Sequence, residues 1–177
     1  MTVGLPLTIP NAFARVARWF AGSEAVVDSA TRLTYSELDA LSRRTAAFFA
    51  ALGAEPEKPL ALLCPPSAIY LVAWLGAARM GALPMALHTR ESAETLADIC
   101  RKMEPNLLVY DASMEALAAG IAAGYPDFRA FVEACSALPR EGSGAMRPAA
   151  SIPADLDGTL PDVPLARPVS LSTRTCL

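Results

Sequence analysis

Two hydrophobic periodicities run along the chain, and the change between them falls near residue 60. Before it the period is mainly helical. Residues 10–21 place Phe13, Val16 and Phe20 on one face, with Arg15 and Arg18 off it. This predicts a short amphipathic helix docked on its own domain, with a helix lying on a membrane surface as the alternative. Residues 25–28, a turn at 29–32 and residues 33–35 predict a small hairpin. Thr34 followed three positions later by Glu37 has the form of a capping box, in which hydroxyl and carboxylate each satisfy the other's backbone N–H at a helix start. The helix so begun carries Leu38, Leu41, Thr45, Phe48 and Leu52 along one side. Asp39 and Arg43 form an i,i+4 pair with the acid first, and Gly53 supplies a left-handed stop.

From residue 60 short apolar runs alternate with helical ones. Residues 60–64 read as a strand that is apolar on both faces, and 67–80 as a helix that is apolar nearly all round, including Tyr70, Trp74 and Leu75. A second strand is predicted over 83–87 and a third over 107–110. Between them, 92–103 reads as a helix with Leu96, Ile99, Cys100 and Met103 on one face and Arg101 and Lys102 complementing its C-terminal dipole. Strands apolar on both faces and joined by helices belong in a parallel sheet covered on both sides, so the expected fold is a three-layer α/β arrangement with right-handed βαβ crossovers. Pro84 cannot donate to a ladder, which predicts an edge or end-of-strand position. Gly76 is read as allowing close helix approach, and Gly81 as a left-handed residue past the helix end.

Beyond Asp111 the pattern weakens. Met114, Leu117, Ala118 and Ile121 suggest a helix closing at Gly124, and Phe128, Phe131, Val132 and Cys135 suggest another. Six of the fifteen prolines lie in 139–168, which reads as a Pro/Gly-rich linker or irregular segment. The expected division is a subdomain over 1–138, that linker over 139–168, and an aberrant or disordered tail over 169–177.

Composition narrows the function classes. Fifteen basic against eighteen acidic residues, with no basic block, argue against a nucleic-acid partner. Cys64, Cys100, Cys135 and Cys176 are far apart and accompany a single His, so no zinc site of ordinary spacing is expected and no metal ligand is assigned. The reading is of reduced thiols in a cytoplasmic protein without a signal peptide. Residues 60–78 are free of charge, but Pro65 and Pro66 divide them into a strand and a separate helix too short to span a bilayer; no transmembrane segment is expected.

Three blocks resemble a known family. The first is Leu33-Thr34-Tyr35-Ser36-Glu37-Leu38, with Ala46 and Gly53 after it. The second is Pro59-Leu60-Ala61-Leu62-Leu63. The third runs from Trp74 through Gly76, Arg79, Gly81 and Ala82 to Pro84 and Met85. In order and spacing they are similar to the N-terminal part of the large domain of AMP-forming, acyl-CoA synthetase-like ligases. The resemblance implies a two-step reaction: a carboxylate attacks the α-phosphate of ATP to give an acyl-adenylate and pyrophosphate, and a thiol, usually coenzyme A, then takes the acyl group. It implies ATP, Mg²⁺ and coenzyme A as family cofactors, with the phosphates held by a Ser/Thr/Gly-rich loop ending in Pro-Lys-Gly.

That loop has no counterpart among these 177 residues. Gly142-Ser-Gly144 lacks a flanking strand or helix. The stretch Ser170 to Thr175 stands where the loop should begin but lacks every Gly and the Lys. No catalytic, cofactor-binding or metal residue is therefore carried over, and no cofactor is expected in this chain. His88 and Asp111 follow strands at the edge where open α/β sheets bind ligands. His88 is read as a loop residue rather than a base, and Asp111 as a helix N-cap. Cys64 is read as an inert buried thiol. Asp155, Asp157 and Gly158 resemble the start of a calcium loop without its later ligands.

Two readings stay open: a truncated ligase, inactive alone, and a binding or interaction module that pairs with a separately encoded catalytic half. The change of character near Ala166, with Arg167 and Arg174 where a buried strand is expected, leads to the expectation of a reading-frame shift there. Exposed apolar surface is expected to dock the remainder of the ligase or to drive self-association. Whether the chain is itself an enzyme, and on which acyl substrate, is left open.

Overall fold

The computed structural model describes residues 8–29 and 31–134. The linker and tail readings over 139–177, Cys135, Cys176 and the two loop-like stretches lie outside the described residues. Helix α1 (Ile9–Trp19) leads to an antiparallel hairpin of β1 (Glu24–Val27) and β2 (Arg32–Thr34). Thr34 ends β2 and caps α2 (Tyr35–Ala51). Its hydroxyl accepts the Glu37 N–H at 3.3 Å, and its own N–H donates to the Glu37 carboxylate at 2.7 Å. The bond from the Thr34 N–H, and a second that the Thr34 hydroxyl donates to the same carboxylate at 2.8 Å, hold the Glu37 carboxyl below its ordinary pKa. Two further α2 N–H groups, of Tyr35 and Ser36, donate to the carbonyls of Ser23 and Ala21, which seats the hairpin on the helix start. Gly53, at φ +86°, ends α2 as the sequence implies.

The strands β3 (Pro59–Leu63), β4 (Leu83–Ala86), β5 (Leu107–Tyr110) and β6 (Ala130–Glu133) form one parallel sheet in the order β4-β3-β5-β6. Every residue of β3 is buried, because it lies inside the sheet with helices on both faces. Leu60 and Leu62 point to one face and join Leu107, Val109, Phe49, Ala73 and Ala77. Ala61 and Leu63 point to the other and join Leu108, Leu96, Cys100 and Ile121. Thus α2 and α3 (Ala68–Arg79) cover one face, and α4 (Ala93–Met103) and α5 (Glu115–Gly124) the other. A short 3₁₀ turn, Ala112–Met114, precedes α5. From β3 the chain moves outward to β4, then returns past β3 to β5 with its helix on the opposite face. A reversal of direction paired with a change of face keeps all crossovers of one hand.

Three expectations need correction or extension. Periodicity predicts a helix for the segment holding Phe128 and Val132, but Ala130–Glu133 form β6, paired in register with β5. The spacing of Phe128, Phe131, Val132 and Cys135 fits a helix, yet β5 offers an unpaired edge, and ladder pairing decides over periodicity in so short a run. On α4, the sequence pattern puts Ile99 and Met103 on one face with Leu96 and Cys100. The buried stripe is instead Leu96, Ala97 and Cys100, while Ile99 and Met103 are exposed. The cause is the α4–α5 crossing. A Cβ on Gly120 would stand 2.7 Å from Ala93 Cβ, and one on Gly124 would stand 2.6 Å from Ala97 Cβ. The helices therefore meet along a small-residue seam that rotates Ile99 and Met103 outward. Finally, β4 is not covered on both sides: it is an edge strand with Leu83 half exposed, the position Pro84 requires.

Candidate functional site

A parallel sheet has a built-in place for ligands, at the carboxyl edge between neighbouring strands whose onward connections leave to opposite faces. Here that place is between β3, which leads to α3 on one face, and β5, which leads to α5 on the other. The residues there are Cys64, Pro65, Pro66 and Ser67 after β3, and Asp111 to Ser113 after β5.

Each polar group at this edge has a structural task. Ser67 caps α3, accepting the Tyr70 N–H at 3.1 Å. The free N–H of Ala68, at the positive end of α3, donates at 2.8 Å to the Asp28 carboxylate, which arrives from the hairpin forty positions earlier. The other Asp28 carboxylate oxygen accepts the Thr31 N–H at 2.7 Å, so one side chain shapes the turn and caps a distant helix. Asp111 caps the 3₁₀ turn, accepting from the Ser113 N–H at 2.9 Å and the Ser113 hydroxyl at 2.6 Å. Cys64 is buried, its Sγ 3.9 Å from the Val109 carbonyl oxygen. His88 lies on the exposed loop after β4 and accepts the Arg90 N–H on Nδ1 at 3.3 Å. The structure thus leaves His88 in a loop and Asp111 as a cap.

The start of α3 does not suit a phosphate of the nucleotide that the resemblance implies. A phosphate at the start of α3 would meet the Asp28 carboxylate, which already holds the helix N-terminus. Among the described residues no group of three or more His, Cys, Asp or Glu side chains could hold a metal ion. No helix among them is long and apolar enough to cross a membrane.

At the amino edge of the sheet lies an open cleft of about 250 Å³, lined by Glu55, Lys58, Glu104, Asn106, Tyr125 and Arg129 among others. Its polar groups stitch loops together. Arg129 pairs with Glu55 at 2.5 Å, and the Asn106 amide and Arg129 both donate to the Gly53 carbonyl, at 3.1 and 3.3 Å. Burial, with the Asp127 and Glu104 charges, pushes the Tyr125 phenol above its ordinary pKa. On the α4 face, burial pushes the Cys100 thiol up to about 11, so it stays protonated and inert.

The most elaborate polar cluster was not foreseen in full. Asp39 pairs with Arg43 at 2.8 Å, as the spacing implies, and also with Arg79 from α3. The Arg79 Nε donates to the Ser42 hydroxyl at 2.7 Å, that hydroxyl donates to the Asp39 carbonyl at 2.9 Å, and the guanidinium lies 5.7 Å from the Phe13 ring centroid. Burial lowers the Arg79 pKa, and the Asp39 charge opposes this. The cluster clamps α1, α2 and α3 together. A usable signal was there: Arg79 is the first charge after the uncharged stretch 60–78.

Comparison with known proteins gives consistent relatives. A family model described as AMP-binding enzyme matches residues 13–145. The chain is 32% identical over 109 residues to a probable non-canonical nonribosomal peptide synthetase, CymA, of Salinispora arenicola, covering 62% of this chain and 1% of that protein. It is 32% identical over 91 residues to the long-chain-fatty-acid–CoA ligase FadD13 of Mycobacterium tuberculosis, covering 50% of this chain and 18% of the ligase. A crystal structure of the N-terminal domain of FACL13 from Mycobacterium tuberculosis superposes with a TM-score of 0.68 at 25% identity, covering 72% of this chain and 34% of that one. The chain spans a fifth or less of the length of these curated relatives.

Proposed function

Because the chain belongs to the AMP-binding enzyme family, we propose that it serves as the N-terminal scaffold of an ATP-dependent, carboxylate-activating ligase and performs no chemistry by itself. The observation that carries this reading is the carboxyl edge of the sheet. Its polar side chains cap helices and shape turns, and Asp28 holds the helix N-terminus that an anion would need. ATP, Mg²⁺ and coenzyme A belong, on this reading, to parts of a ligase beyond the three matching blocks. The scaffold contributes a rigid βαβ platform against which those parts pack. A cytoplasmic setting fits the reduced, buried thiols of Cys64 and Cys100.

A second reading, an interaction module pairing with a separate catalytic half, is favoured by one feature. Among the described residues β4 pairs only with β3, and exposed Leu83, with Ile99 and Met103 on α4, lies on the same side of the sheet. Such surface needs a cover. Light scattering and hydrophobic-dye fluorescence on the isolated chain test the scaffold reading. It predicts dye binding and concentration-dependent association. A monodisperse monomer that excludes the dye would contradict it, because the surface around Leu83, Ile99 and Met103 would then need no cover.

A further inference from the structure

Beyond the groups that stitch its loops, the cleft at the amino edge holds four polar side chains with no such task. Lys58, Glu104, Asp127 and the Tyr125 hydroxyl line it, and none of them has a side-chain hydrogen bond or ion pair among the described residues. Tyr125 is 6% exposed, its ring held edge-on against Phe128 at 4.8 Å, so the hydroxyl is fixed at the cleft instead of swinging into water. Burial first, then the Asp127 and Glu104 charges, raise its pKa, which sets both carboxylates near the phenol. Glu104 is poorly placed for folding. It closes α4 with a left-handed backbone, φ +52°, where Gly or Asn is ordinarily found, and puts a negative charge at the negative end of the helix. Glu57, beside Lys58, is the other non-glycine residue with positive φ among the described residues, at +64°. Backbone of this kind gathers where a site requires it. Glu55 and Arg129 pair with each other, so the charges left over are two carboxylates and one ammonium.

We propose that this cleft binds a small zwitterion, a short carbon chain with an ammonium at one end and a carboxylate at the other. The ammonium donates to Glu104, Asp127 and the Tyr125 oxygen, the carboxylate pairs with Lys58, and the carbon chain lies along the Tyr125 ring and Pro105. The charge set selects a zwitterion over a simple ion. An amine alone would face Lys58 as a like charge, and an anion alone would meet two carboxylates. A metal ion is disfavoured, because the described residues provide no group of three His, Cys, Asp or Glu side chains to hold one. The volume of about 250 Å³ lies below the roughly 300–1,000 Å³ of drug-sized sites and suits a ligand of a few carbon atoms. The cleft is at the opposite edge of the sheet from the helix caps of Asp28 and Asp111, so the inference does not rest on the scaffold reading.

The test is ligand-observed saturation-transfer NMR on the purified 177-residue chain. The probes are free glycine, 4-aminobutyrate and 6-aminohexanoate, zwitterions of increasing length, with butylamine and butyrate as controls that carry one charge each. At least one zwitterion should give a saturable signal, and each control should bind at least about tenfold more weakly. Tyr125→Phe, which keeps the ring, Asp127→Asn and Lys58→Met should each weaken binding about tenfold with far-ultraviolet circular dichroism unchanged. Glu104→Gly should weaken it likewise while the thermal midpoint holds or rises, since Gly suits the left-handed cap. Absence of a saturable signal from all three zwitterions would overturn the proposal. So would butylamine or butyrate binding as tightly, competition by Mg²⁺, or binding unchanged in the Lys58 and Tyr125 variants.

Discussion

Asp39 shows how one side chain can carry more than its local spacing suggests. The i,i+4 relation to Arg43 is a surface pair of a few tenths of a kcal/mol. The bond to Arg79 is of another kind, because Arg79 is 6% exposed and its charge is stranded if the partner goes. Asp39→Asn keeps the shape and removes the charge. It should lower the unfolding free energy by about 3 kcal/mol in urea titration, whereas Arg43→Gln should change it by less than about 1 kcal/mol. Similar small losses for both variants would mean that the Arg79 pair does not clamp the helices. The Asp39–Arg43 pair was legible because it lies within one helix. The Asp28 cap on α3 was not, because nothing in local spacing relates a turn acid to an N–H forty residues later.

Where helices and strands meet, local chemistry was a good guide and burial a poorer one. The capping box at Thr34 and Glu37, the left-handed Gly53 and Gly81, and the edge placement of Pro84 follow from backbone rules that hold regardless of tertiary context. The outward turn of Ile99 and Met103, and the strand at Ala130–Glu133, depend on which neighbour is present, and one-dimensional periodicity does not contain that. The α2–α3 contact joins the two levels. A Cβ on Gly76 would stand 2.6 Å from Thr45 Cγ2 and 3.3 Å from the Ala46 backbone nitrogen. Thr45 is β-branched and fully buried, so it cannot swing aside. Gly76→Ala gains up to about 1 kcal/mol in helix propensity but overpacks by about 1–3 kcal/mol. The net expectation is destabilisation by about 1 kcal/mol in thermal or urea unfolding. The Thr45 hydroxyl has no hydrogen-bond partner among the described residues, so adding Thr45→Ala should restore most of the loss. A Gly76→Ala variant as stable as the parent would show that the helices are not held at this distance.

At the scale of the molecule, the central strands of the parallel sheet are covered on both faces, and among the described residues β4 pairs on one side only. The family blocks, Leu33 to Leu38, Pro59 to Leu63 and Trp74 to Met85, map onto the hairpin and α2 start, the central strand, and the helix-to-edge-strand unit. All three are scaffold. That is why the family was legible from sequence while no site was assigned from it: the blocks are made of residues that cap, turn and pack. Carboxylate-dependent ATP–pyrophosphate exchange by the purified chain, over a panel of aliphatic and aromatic acids, tests the scaffold reading most directly. No exchange above a boiled control is expected with any acid, and reproducible exchange that requires both the acid and Mg²⁺ would contradict it.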